Sequence, residues 1–103
     1  MSELTKINYK VVNILPEYIS KIKDGSKKLE FRSWHSKVPY FMLKNEETGK
    51  IELVIEILDV MDLNVMDPED KEDILDQQGV SEEFREKYDC RYAYMIGEVN
   101  NVH

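Results

Sequence analysis

Cross-linking chemistry and long apolar stretches are what this sequence lacks. Its 103 residues hold one cysteine, Cys90, which excludes an intrachain disulfide. The two histidines, His35 and His103, and Cys90 stand at no spacing that serves zinc. The longest apolar run, Val38 to Leu43, is far short of the roughly 20 residues that cross a bilayer as a helix. Met1 to Lys6 contain no apolar segment of the kind a secretory leader needs. The expected location is therefore cytoplasmic, with no membrane contact. Proline and glycine are scarce, at three and four residues, and no repeat or low-complexity tract interrupts the chain. This length makes one domain, residues 1–103, with one modest core. The acidic run Asp67 to Asp76 lacks the central glycine of a calcium loop. It reads as a solvated helix face, so neither metal nor cofactor is expected.

Charge is plentiful and unevenly placed. The net charge is −7, which argues against a simple polyanion binder. Yet residues 1–50 carry ten Lys and Arg against six Asp and Glu, while residues 51–103 carry four against fifteen. Affinity for nucleic acid follows the local patch and not the whole-chain sum. Because the acidic half should repel a long duplex, the expectation is a small or short anionic ligand, weak binding, or a partner that is not nucleic acid.

Periodicity predicts the elements. Tyr9 to Leu15 reads as a strand. Pro16 suits the first turn of a helix, where a missing N–H costs nothing. Leu15, Ile19 and Ile22 then share one helical face, and Gly25 suits the position just past the helix end. A strand follows through Arg32, then a loop from Ser33 to Val38. Tyr40 to Lys44 and Lys50 to Val60 read as a hairpin around a turn at Asn45 to Gly49. In its second strand Ile51, Leu53, Ile55 and Ile57 share a face. Asp67 and Pro68 form a helix start, with the Asp67 carboxylate as cap, and that helix ends before Gly79. Ser81 caps a second short helix reaching Tyr88, and Arg91 to Val99 closes the fold as a strand. Such a pattern predicts an α+β chain: a small, mostly antiparallel β-barrel with short helices at its ends.

The densest chemistry lies in the octet Gly25-Ser26-Lys27-Lys28-Leu29-Glu30-Phe31-Arg32. Side chains alternate across a strand, so Leu29 and Phe31 face one way while Lys28, Glu30 and Arg32 face the other. As a ligand site, Lys27 and Arg32 would meet a phosphate or carbonyl oxygen, and Glu30 would accept from an exocyclic amine or orient Lys27. As scaffold, the same charges would satisfy one another and fix the helix to the barrel. Both readings stay open on these residues alone. Trp34 and Tyr40 are candidates for stacking on a base, or else for packing at the barrel end. His35 reads as a solvated loop residue.

Gly-x-Lys-x-x-Glu-x-Arg after Pro16-Glu17-Tyr18 resembles the ASCH (activating signal cointegrator homology) domain, a member of the PUA-like superfamily. The resemblance continues through Val12 to Tyr18, Tyr40 to Leu43, Lys50 to Val60 and Tyr88 to Val99, and so covers nearly the whole chain. It implies the PUA-like barrel. It also implies that the motif positions line a cleft between the first helix and the octet strand, with Pro16 and Gly25 shaping the rim. Some bacterial proteins of this kind are amidohydrolases of N4-acetylcytidine. In those a threonine nucleophile stands where this chain has Glu30, beside a lysine that Lys27 matches. Ser26 and Ser33 lie nearby, but neither takes the threonine position; Ser33 is expected across the strand from Glu30. Others have been proposed as ribonucleases, and no residue pair here commits the chain to that chemistry.

The expected function is binding of RNA or a nucleotide-like ligand by Pro16, Gly25, Lys27, Glu30, Arg32, Trp34 and Tyr40. One alternative is a hydrolase acting on a modified nucleoside, with Lys27 and Glu30 as its catalytic pair. Another is an interaction module that docks a basic protein through the acidic half, Asp67 to Asp89.

Overall fold

The computed structural model describes residues 8–102; Met1 to Lys6 and His103 lie outside the described residues. The chain opens with strand β1 (Tyr9–Ile14) and helix α1 (Pro16–Lys23), followed by strands β2 (Leu29–Arg32), β3 (Tyr40–Asn45) and β4 (Ile51–Asp62). A 3-10 turn (Leu63–Val65), helices α2 (Pro68–Gln77) and α3 (Glu82–Lys87) and strand β5 (Tyr92–Asn101) complete it. Among the described residues no helix is long and apolar enough to cross a membrane.

The strands form one mixed sheet in the order β1-β3-β4-β5-β2, curved into a half-barrel. β3 and β4 make the expected antiparallel hairpin, and β5 pairs antiparallel with both β4 and β2. β1 instead runs parallel to β3, with Tyr9 opposite Tyr40 and Ile14 opposite Asn45. Parallel neighbours need a long crossover, which α1 and β2 supply. β1 and β2 are thus the two outer strands. Arg32 spans them: its Nη2 donates to the Asn13 carbonyl at 2.8 Å.

Two apolar clusters sit on opposite faces of β5. Tyr94 and Ile96 join Val12, Ile14, Phe41, Leu43, Leu53 and Ile55 in the larger one, and α1 adds Ile19 and Ile22. Burying an isoleucine of this kind stabilises by roughly 1.5–3 kcal/mol, which is what docks so short a helix. Ala93 points to the other face and meets Phe31, Leu63, Leu75 and Cys90. The period of two along β5 therefore serves both cores.

Several expectations need correction. The octet strand begins only at Leu29, so Lys27 lies in a turn and yet is buried, whereas Lys28 is exposed. Asp67 precedes α2 but its side chain makes no capping bond; it stays exposed, among other acids that favour keeping it in water. Ser81 does cap α3, accepting from Phe84 N at 3.2 Å. In β4 the apolar face holds at Leu53 and Ile55, which are fully buried, but register shifts on either side of Ile57 leave Ile57 only half-buried.

Candidate functional site

Lys27 is turned inward by the way α1 ends. Gly25 adopts φ +83°, and its N–H reaches the Ile22 carbonyl at 3.3 Å. This is the left-handed backbone that glycine takes most readily. Ser26 N then donates to Asp24 Oδ1 at 2.8 Å and Lys27 N to the Lys21 carbonyl at 3.0 Å. The turn is tied back onto the helix, and Lys27 is 8% exposed. Its Nζ lies 3.5 Å from Glu30 Oε1, with the rings of Phe31 and Tyr18 centred 5.2 and 5.5 Å away.

Glu30 is 5% exposed and joins two cations. Its Oε1 faces Lys27, while its Oε2 accepts from Arg32 Nε at 3.0 Å and Arg32 Nη2 at 2.6 Å. Burial draws the Lys27 ammonium below its ordinary range, Glu30 opposes that, and Arg32 adds to it. One carboxylate thus holds two cations at a buried site.

This network borders an open cavity of about 200 Å³. Lys27, Glu30, Arg32 and Trp34 all line it. Pro16, Gly25 and Tyr40 do not, although Asn13, Ile14 and Leu15 just before Pro16 do. Tyr40 sits in β3 between Tyr9 and Glu56. Trp34 is half-buried against Phe41 and Tyr94, ring centres 5.8 and 5.6 Å away, with Lys10 Nζ 4.9 Å from its own ring centre. His35 is exposed and meets the Tyr92 ring edge-on. Ser33 borders the same cavity as Glu30, because β2 ends at Arg32 and strict alternation ends with it. Ser26 lies outside, its hydroxyl 3.3 Å from the Lys21 carbonyl.

A family model for the ASCH domain matches residues 12–102. The chain belongs to the ASCH domain family. Solved structures agree on the fold. ASCH from Zymomonas mobilis superposes with a TM-score of 0.68 at 14% identity, over 91% of this chain and 71% of that one. A serine-to-alanine variant of that protein gives 0.65 at 15% identity, over the same shares. A tyrosine-to-phenylalanine variant gives 0.62 at 15%, over 91% and 73%. No curated protein sequence matches.

In this ASCH domain the far wall of the cavity comes from the acidic half, which the sequence presents as a separate surface. Gln78, Val80, Phe84 and Tyr88 line it from the α2–α3 turn and α3. Phe84 packs edge-on against Tyr18 of α1 with ring centres 5.9 Å apart, and against Tyr88 at 4.7 Å. Gln78 Oε1 accepts from Lys28 N at 3.4 Å. The aromatic spacing Phe84/Tyr88 at i, i+4 was the available signal, but only the tertiary fold shows that it faces Tyr18. Burial also raises the Tyr18 phenol above its ordinary value, with Glu17 and Glu30 adding to the effect. Arg85 fastens this wall through bonds to Glu72, Asp76 and the Val80 carbonyl. Among the described residues no group of three or more His, Cys, Asp or Glu side chains is placed to hold a metal ion.

Proposed function

We propose that this ASCH domain binds RNA or a nucleotide-like ligand in the cavity between α1, β2 and α3. The observation that carries the reading is the buried Lys27–Glu30–Arg32 network opening onto a cavity walled by Tyr18, Trp34, Phe84 and Tyr88. Hydrogen-bonding groups beneath aromatic walls are what recognition of an unpaired base requires. The family is associated with RNA binding, which supports the same reading, although fold alone does not assign a ligand. A thermal-shift titration of wild type and Lys27→Ala against nucleosides, nucleotides and short single-stranded RNAs tests it. A ligand of the folded state raises the melting temperature by mass action. A rise in wild type that Lys27→Ala abolishes supports the cavity; equal rises in both proteins refute it.

One observation favours a second reading, a hydrolase acting on a modified nucleoside. Burial lowers the Lys27 ammonium, and Glu30 stands beside it, an arrangement suited to proton transfer. The test is turnover of acetylated cytidine, lost in Lys27→Ala without loss of folding.

A further inference from the structure

Charge around the cavity is balanced. Three cations border it, Lys21, Lys27 and Arg32, and so do three carboxylates, Glu30, Glu46 and Asp89. Two of the cations are also committed by geometry. Arg32 presents its Nε and Nη2 to Glu30, and the same Nη2 is shared with the Asn13 carbonyl. The Nε–Nη2 edge of the guanidinium is therefore occupied, and with Nη2 also bonded to Asn13 the remaining Nη1 lacks a partner donor for a two-pronged grip on phosphate. Lys27 is buried and in ion contact with Glu30.

A phosphate monoester at neutral pH brings between one and two negative charges. In this cavity it would stand beside a buried carboxylate that already holds Lys27 and the Nε and Nη2 donors of Arg32, which leaves it only the exposed Lys21 and Arg32 Nη1. Like charges in partly dry surroundings repel strongly. An uncharged ligand meets no such barrier. It finds the aromatic side chains of Tyr18, Phe84 and Tyr88, and donors and acceptors whose charge is largely compensated. The cavity volume of about 200 Å³ lies below the roughly 300–1,000 Å³ of common small-molecule pockets, which suits one base.

We infer that the cavity takes an uncharged nucleoside, base first, and discriminates against the same nucleoside bearing a 5′-phosphate. The inference rests on the reading of the cavity as a nucleotide-like ligand site and names which form of that ligand enters. An RNA would then be held through one extruded base, with its phosphates outside.

Equilibrium titration of the whole chain with adenosine, guanosine, cytidine and uridine, and with their 5′-monophosphates, tests it. At least one nucleoside is expected to bind about tenfold or more tightly than its monophosphate, a difference of about 1.4 kcal/mol. A monophosphate that binds as well or better overturns the inference and leaves the binding reading standing. Binding of short single-stranded RNA, with every nucleoside silent, does the same. Silence of nucleosides, monophosphates and RNA together overturns both. Glu30→Gln should shift the preference toward the monophosphate, a gain that unfolding cannot mimic. The double variant Glu46→Gln with Asp89→Asn leaves the buried network in place and should shift the ratio several-fold in the same direction. An unchanged ratio in the double variant overturns charge balance as the cause.

Discussion

Glu30 and Arg32, two residues apart on β2, meet through a single carboxylate oxygen that accepts from both Nε and Nη2 of the guanidinium. Because i and i+2 share a strand face, the pairing needs no long-range closure. The same Nη2 then reaches the Asn13 carbonyl, so one side chain both compensates a buried acid and joins the outer strands of the half-barrel. Scaffold and site are built from the same atoms.

Glu30→Gln separates the two roles. The amide keeps the shape and removes the charge, leaving Lys27 and Arg32 without their counter-ion. Breaking a buried ion pair costs about 3–5 kcal/mol. The Arg32 side chain retains 23% exposure and can turn toward water, so a loss at or just below that range, about 2–3 kcal/mol, is expected in urea unfolding. A loss under about 1 kcal/mol would mean that the network is not formed in solution. A large loss with RNA or nucleoside binding intact would reduce the network to scaffold.

Lys27 makes stability depend on alkaline pH with a definite sign. Burial holds its folded-state value below the ordinary one, while the unfolded chain titrates near 10.4. Between these values the unfolded state carries a proton that the folded state has released, so unfolding free energy rises with pH. Below both values the cost of burying the cation is fully present; above both it is gone. Wild type minus Lys27→Met should therefore climb with pH up to about 10.4. A flat or falling difference would show that Glu30 holds the ammonium charged throughout.

Much of this fold is legible in the sequence because its boundaries are local. Pro16 and Pro68 open helices, Gly25 and Gly79 follow their ends at positive φ, and Ser81 caps α3 through its own hydroxyl. What is not legible depends on distant partners. Nothing near Tyr9 or Tyr40 says that β1 and β3 run parallel. Nothing near Asp67 says that its carboxylate will stay in solvent. Of the cavity, Lys27, Glu30, Arg32 and Trp34 are readable from one motif and its flank. The wall at Phe84 and Tyr88 is not, because most of the chain separates it from Tyr18 and the two halves carry opposite charge.

Tyr94 ties the loop after β2 to the core. Its ring is fully buried; its hydroxyl donates to the Trp34 carbonyl at 2.7 Å and accepts from Ser36 N at 2.8 Å. Tyr94→Phe keeps the ring packed against Phe41 and Trp34 and strands both backbone groups. Each half-buried group left unpaired costs roughly 1–3 kcal/mol where water cannot replace the partner. A total loss of about 2 kcal/mol is expected, together with a red-shifted Trp34 emission as the loop loosens. Unaltered emission at an unaltered melting temperature would show that the loop is held by other contacts.

Arg85 positions the aromatic wall without touching the cavity floor. Its guanidinium joins Glu72 and Asp76 of α2 to the Val80 carbonyl in the connecting turn, from its own place on α3. α3 has six residues, too few to persist as an isolated helix, so its order depends on such ties. Arg85→Met keeps the apolar stem and removes every one of these bonds. Its acidic partners are exposed, so the global loss should be small, about 1 kcal/mol. The local loss should be larger: amide exchange over residues 82–88 should accelerate well beyond that of β4 and β5, and affinity for nucleosides should fall as Phe84 and Tyr88 lose their setting. Uniform acceleration across the sheet would mean that the corner is part of one cooperative unit. Unchanged exchange in α3 would mean that Phe84 against Tyr18, and not Arg85, holds the wall in place.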